Sequence, residues 1–158
     1  FLGEKVMAQF IGTSMPAGHV GDITRGFFDN TVEVIKNDGT TPVKAFGVPV
    51  KLNSTSDGVT GCTATSDAVF GFAVREYGQA VPTSDGGWTQ DMPFVSVMKR
   101  GYMAVKAAGT PKKGATVYLD ASGALTAEAG SAPANTAIPN CFFMGPANGD
   151  LVEIAYNI

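Results

Sequence analysis

From residue 31 onward, apolar positions recur at every second residue in short runs, and each run ends at a cluster of Gly, Pro, Asn or Asp. A period of two over four to eight residues marks a strand with one buried face. Residues 31–35 alternate in this way and lead into Asn37-Asp38-Gly39, whose Asp-Gly pair predicts a type I′-like turn. Residues 43–52 alternate with a break of phase at Gly47-Val48-Pro49, which calls for a bulge or a sheet edge. Residues 54–61 read as a polar loop. Residues 69–77 read as a strand with Phe70, Phe72 and Val74 on one face, and 78–92 as a long polar loop carrying Trp88.

The longest extended segment runs from Phe94 to Lys106. Phe94, Ser96 and Met98 alternate with Val95 and Val97, Gly101 interrupts, and Tyr102, Ala104 and Lys106 then alternate with Met103 and Val105. Residues 116–119 and 124–127 flank Asp120-Ala121-Ser122-Gly123 as a compact hairpin. Residues 128–139 read as a loop of small residues, and strands at 141–144 and 151–158 close the chain. No segment shows the 3.6-residue period of an amphipathic helix ten or more residues long. The Ala-rich stretch 121–134 is broken by Gly and Pro. The expected fold is all-β: a small barrel or sandwich of about eight short strands.

The first 28 residues follow neither period. Gly12, Pro16, Gly18, Gly21 and Gly26 interrupt them, yet Phe10, Ile11, Met15, Val20, Ile23, Phe27 and Phe28 keep them apolar. Disordered tails are poor in such residues. The expected division is therefore an irregular arm, 1–28, and a single β domain, 29–158. Two readings of the arm stand side by side: it lies on a neighbouring chain, or it folds back on its own domain. Residues 1–6 precede Met7, so a natural start at Met7 is also open.

Composition narrows the class. Charged residues make up 16% of the chain, below the usual quarter, and 20 Gly and 9 Pro fit a turn-rich β protein. With so little charge on a small domain, either Thr, Ser and Asn supply much of the polar surface or partners cover part of it, and the second reading is favoured. A net charge of −3 without a basic run lacks the electrostatic footprint of nucleic-acid binding. No apolar stretch approaches the ~18 residues of a membrane helix, and no signal-peptide pattern opens the chain. No nucleic acid and no membrane are expected as partners, and synthesis is expected in the cytoplasm.

The search for chemistry ends mostly in structural readings. His19 is the only histidine, and an irregular arm is a poor support for a base that must be held against a nucleophile. Cys62 and Cys141 are far apart and match no metal or redox spacing, so two small buried hydrophobes are expected. Asp38-Gly39, Asp57-Gly58 and Asp85-Gly86 read as turns, since calcium-loop spacing is absent. The Gly-rich segments lack the lysine and hydroxyl of a phosphate loop. No catalytic residue, metal or cofactor is expected.

Six pieces carry a family likeness. They are Gly21-Asp22-Ile23-Thr24-Arg25, the run from Val43 through Phe46 to Lys51, and Val69-Phe70-Gly71-Phe72-Ala73-Val74-Arg75. Next come Arg100-Gly101-Tyr102-Met103-Ala104-Val105-Lys106, Phe143-Met144-Gly145-Pro146-Ala147, and the ending Val152-Glu153-Ile154-Ala155-Tyr156-Asn157-Ile158. In this order, from about residue 16 to the end, the chain resembles the structural cement proteins of tailed phages. That resemblance implies an all-β subunit on the outside of a virion capsid, clamping major capsid protein at capsomer junctions and associating with copies of itself, a trimer more than a dimer. The expected contact residues are Phe10, Ile11, Met15, Val20, Ile23, Arg25, Phe27 and Phe28 of the arm, with Arg25 meeting a carboxylate there. Trp88 reads either as an aromatic anchor or as a loop plug. The rival reading is a receptor- or carbohydrate-binding β module of a virion.

Overall fold

In a computed structural model, residues 18–75, 92–131 and 134–158 are described. Among them the chain forms one 3₁₀ turn, Phe27–Asp29, and nine strands. These are β1 (Thr31–Lys36), β2 (Pro49–Leu52), β3 (Val59–Gly61), β4 (Gly71–Ala73) and β5 (Phe94–Lys106), then β6 (Thr116–Leu119), β7 (Leu125–Thr126), β8 (Thr136–Phe143) and β9 (Leu151–Tyr156). The all-β expectation holds, with the strands joined in the order β3-β2-β4-β5-β9-β8-β6-β7 and β1 added to β5. Every strand pair is antiparallel.

β5 is the wall that the two halves of the sheet share. Before Gly101 it lies between β1 (Val32↔Met98, Lys36↔Phe94) and β4 (Phe72↔Met98, Ala73↔Val97). After Gly101 it pairs with β9, from Gly101↔Tyr156 to Lys106↔Leu151. Gly101 has φ +140, and a Cβ there would lie 2.7 Å from the Cβ of Asn30. Only glycine lets the strand turn there while the chain entering β1 crosses so close.

Each half then curls until its last strand returns to its start. On the N-terminal side, β3 meets the end of β1 through a parallel bridge, Asn37↔Val59, with Asp38 N–H donating to Val59 O at 2.9 Å. On the C-terminal side, β7 meets the chain just beyond β5 through the parallel bridge Ala108↔Thr126. Ala108 N–H donates to Leu125 O and Ala127 N–H to Ala108 O, both at 3.0 Å. Two curled rings result, and each hides edges that would otherwise be open to other chains.

Each ring has its own core. Val43, Phe46, Val50, Val59, Ala73, Val95 and Val97 form one cluster. Met103, Val105, Val117, Leu119, Phe143, Val152 and Ile154 are central to the larger one, which also takes Phe72 and Met98 from the first half. At about 1.5–3 kcal/mol for each fully buried aliphatic or aromatic side chain, these clusters hold the fold. An edge-to-face pair, Phe72 and Tyr156 with ring centres 5.1 Å apart, joins the halves, and Tyr156 Oη donates to Val69 O at 3.2 Å. Cys62 and Cys141 sit in the larger core, both buried and unbridged.

Two side features lock the loops. Asn37 is buried and serves as a backbone surrogate: its Nδ2 donates to Val43 O and Met92 O at 3.0 Å, and Val43 N–H donates to its Oδ1 at 2.7 Å. The β6–β7 turn ends at Gly123, φ +81, so close to the backbone after β3 that a Cβ would lie 1.9 Å from Cys62 O. The hairpin at 120–123 forms as its sequence predicts, with Asp120 Oδ1 accepting from Ser122 N–H and Ala124 N–H.

Several elements differ from the sequence expectation. Asp38-Gly39 does not form a left-handed hairpin turn. Asp38 Oδ1 captures the N–H groups of Thr40 and Thr41 instead, both at 2.8 Å, and β1 pairs with the distant β5. Residues 59–61 are a strand inside the expected polar loop: Val59 is fully buried, and the segment pairs with β2 from Val50↔Gly61 to Leu52↔Val59. β8 starts at Thr136, inside the expected small-residue loop. Pro139 is tolerated there because pairing with β9 begins only at Cys141. Residues 43–52 contribute a strand only from Pro49, since Gly47 at φ +68 turns the chain before it.

Two measurements check this packing. Gly123→Ala should lower unfolding stability by about 3 kcal/mol or more, because it adds a clash to a left-handed backbone. Gly114→Ala, at φ +84 in open space, should cost only about 1–2 kcal/mol. Equal urea midpoints for the two variants would contradict the described seam. Asn37→Ala strands one donor and two carbonyls and should cost about 2–3 kcal/mol by the same measurement; a shift below the error of the melt would contradict its role.

Candidate functional site

The described end of the arm is bound to its own domain. Residues 18–25 run beside the second half of β5, opposite β9. Gly21 N–H donates to Ala104 O at 2.8 Å, Ala104 N–H to Asp22 O at 3.0 Å and Thr24 N–H to Tyr102 O at 3.1 Å, around an Ile23↔Met103 bridge. Arg75 N–H donates to Gly21 O at 2.9 Å from the other side. Gly21 and Gly47 fit together without side chains: a Cβ on Gly21 would lie 2.7 Å from Phe46 Cβ, and one on Gly47 2.7 Å from Val20 Cγ1. Both take positive φ, +86 and +68, so sequence and packing agree on glycine.

A clasp fastens this strap across β5. Arg25 Nη2 donates to Glu153 Oε1 of β9 at 2.7 Å and Nε to the same oxygen at 3.2 Å. The guanidinium also lies 4.2 Å from the centre of the Tyr102 ring, and the Thr24 hydroxyl donates to Glu153 Oε2. Burial pushes the Glu153 carboxyl up, but the hydrogen bonds from Arg25 and Thr24 outweigh it and leave it below the ordinary value. Arg25 is raised by the same partner. The carboxylate that Arg25 meets in the single chain is therefore its own.

Beyond the clasp the chain rises into the 3₁₀ turn and exposes Phe28, at 92% of its surface. Asn30 Nδ2 returns a bond to Gly26 O at 3.2 Å, and Asp29 N–H donates to the same oxygen at 3.1 Å. β1 follows, exposed along almost its whole length. Its register with β5 puts Val32, Val34, Lys36 and Phe94 on one face, with Val34 68% and Phe94 57% exposed. Asn37 N–H donates to Pro93 O, so the odd-numbered residues of β1 bond to β5 and those of Val32 and Val34 point away. Among the described residues no strand pairs with this outer edge of β1, and apolar side chains on such an edge are what most proteins avoid.

The expected contact residues divide accordingly. Val20 is half-buried against Gly47, Ile23 packs on the larger core, and Arg25 closes the clasp. Phe28 stands out to solvent on the turn that also contains Phe27. Phe10, Ile11, Met15 and Trp88 lie outside the described residues. Sequence reasoning missed Val34, Phe94 and Glu153. Alternation marked the first two as strand residues, but only the β1–β5 register shows which face is open.

The chemical candidates are structural. Burial pushes the Cys62 thiol up to about 12 and the Cys141 thiol higher still, so both stay protonated and poorly nucleophilic near neutrality. His19 is exposed and faces Asp22 at 3.5 Å. Among the described residues no group of three or more His, Cys, Asp or Glu is placed to hold a metal. Asp57 accepts from Thr55, Asn53 and Lys36, and those bonds hold its carboxyl well below the usual range.

An exposed apolar face predicts a surface that is neutral to stability. Val34→Thr should leave the thermal midpoint equivalent to within about 0.5 kcal/mol while reducing binding of a hydrophobic dye. Loss of the cooperative melt would show that Val34 belongs to a core instead.

Comparison with known proteins gives the same direction. The chain matches the family described as structural cement protein (E217 gp24/Pam3 gp6) over residues 7–157. No curated protein matches it. A solved chain from the capsid of Myoviridae phage XM1 superposes with a TM-score of 0.70 at 17% identity, over 93% of this chain and 94% of that one, which is a likeness of fold. With nearly its whole length matched, and an all-β domain without an assembled catalytic group among the described residues, the chain belongs to the phage structural cement protein family.

Proposed function

We propose that this protein is a capsid cement subunit that binds the outer surface of a phage head at capsomer junctions and stabilises it without catalysis. The family match over residues 7–157 carries the reading. The exposed Phe28 and the Val34–Phe94 edge support it, because a clamp needs apolar surface that its own fold leaves uncovered. Its partners are the major capsid protein and further copies of itself, grouped as trimers about local symmetry axes. The arm contributes Phe10, Ile11, Met15 and the Phe27–Phe28 turn to those contacts, and Trp88 serves as an aromatic anchor.

The mechanism is linkage. Packed DNA strains the seams between capsomers, and a subunit that binds the joined state but not the separated one shifts the equilibrium toward the closed shell. Many copies sum modest contacts. Because the paired surfaces meet only in the assembled lattice, isolated capsid protein binds weakly and shells bind a fixed number per junction.

Purified protein mixed with undecorated shells should co-sediment with them and raise their melting temperature. Phe28→Ser should weaken that binding at least about tenfold, of the order expected for an interface anchor, with the free protein's own melt unchanged. Shells whose melting is unaffected by saturating protein would remove the cement reading.

A further inference from the structure

We propose that the Arg25–Glu153 clasp is a charge-dependent latch that holds the Phe28 turn in its docking position, so that neutralising Glu153 frees the turn while both rings stay folded. This deepens the cement reading and rests on it for the role of Phe28. The geometry is that of a turn slung between two anchors. On one side, Arg25 and Thr24 reach across β5 to a single carboxylate on β9. On the other, Asn30 packs into the space that Gly101 leaves, 2.7 Å from where a Cβ would be. The intervening Gly26 has nothing within 4 Å of its side-chain position. The turn itself is closed by two bonds to Gly26 O, from Asp29 N–H and Asn30 Nδ2.

The two anchors differ in kind. Asn30 is fixed by packing against backbone, which a change of charge does not touch. The clasp is electrostatic and half exposed, with Arg25 43% and Glu153 22% open at their side chains. Beyond it, residues 24–25 keep one backbone bond to β5, from Thr24 N–H to Tyr102 O. Residue 21 is anchored separately, by the Gly21–Gly47 fit and by bonds to Ala104 and Arg75. Opening the clasp therefore loosens residues 24–29 and leaves the strap's start in place.

Acid should act as the neutralising agent. The Glu153 carboxyl lies below its ordinary value when the clasp is made, so the order it confers is complete above the ordinary carboxylate range and is lost as pH falls through the lowered value. The charged and titratable groups around it are Arg25 on the strap, Asp29 on the turn, Tyr102 and Lys106 on β5, and Asp150 just before β9, which pairs with Lys106 at 3.8 Å. On the strap, His19 faces Asp22. The neighbours at and just beyond the end of β8 are uncharged: Met144 N–H donates to Glu153 O, and Phe143 pairs with Ile154. Asp22, Asp29 and Asp150 are further carboxylates on these segments, so a variant without the Glu153 charge is the necessary control.

The test is amide exchange of the full chain, corrected for intrinsic rates, in wild type, Glu153→Gln and Arg25→Gln. Both variants should speed exchange at Thr24 and Asp29 at least about tenfold, with Gly21, Ala108 and Ala127 unchanged. Wild type should reach the same rates as pH falls below the carboxylate range, and Glu153→Gln should show no further acid effect at Thr24 and Asp29. Unchanged rates at those two amides in either variant, or equal acceleration at Ala108 and Ala127, would overturn the latch. Glu153→Gln that loosens the turn yet binds shells like wild type would overturn its tie to docking. Wild type that ignores shells altogether would sink the cement reading while the exchange data still judge the latch.

Discussion

The structure depends on one strand serving two curled half-sheets. β5 is 13 residues long, and a strand of that length accumulates more twist than a single small sheet accommodates. Gly101 resolves this by letting the strand change direction, so that its first half pairs with β1 and β4 and its second half with β9 and the strap. Because the strand has neighbours on both sides along its length, most of its residues are buried on both faces, from Val95 to Met98 and again from Met103 to Val105. Each ring is then closed by one parallel bridge, and the two cores share β5 and its neighbour β4 as a common wall.

That arrangement determines what is left outside. Ring closure consumes the edges of β3 and β7, and the strap covers the edge of β5 beyond Gly101. Among the described residues no strand pairs with the outer side of β1, where Val32 and Val34 are exposed, close in sequence to the turn that exposes Phe28. The apolar surface is thus a consequence of topology: the chain enters β1 from the clasp, crosses Gly101, and has no further strand to lay beside it before β2. Low overall charge has a counterpart here, in an exposed face whose side chains are apolar.

Much of this was legible in the residues. The run 94–106 alternates and breaks at Gly101, and the strand occupies the same residues with its bend at the same glycine. The β6–β7 hairpin follows from Asp120 and Gly123, and the family likeness in six ordered fragments agrees with the match over residues 7–157. What was hidden is non-local. Asp38-Gly39 signals a hairpin locally, but β1 gains more by pairing with β5, and the Asp38 carboxylate then takes the free amides. Val59 is one apolar residue among polar ones, too short a signal to mark a strand. Arg25 was legible as a cation seeking a carboxylate, but its partner lies 128 residues away in sequence, and only the strap's course along β5 brings them together.

Among the described residues, the domain combines two closed rings with an apolar strand edge that no other strand pairs with, and with a turn tied to its own sheet by an ion pair. The most direct test is an electron cryo-microscopy map of shells decorated with this protein. The account predicts density for the domain on the outer surface, spanning a seam between capsomers, with the Phe28 turn against a capsid subunit. Density confined to the interior of the shell, or a domain seated on one capsid subunit with Phe28 and the β1 edge facing solvent, would contradict it.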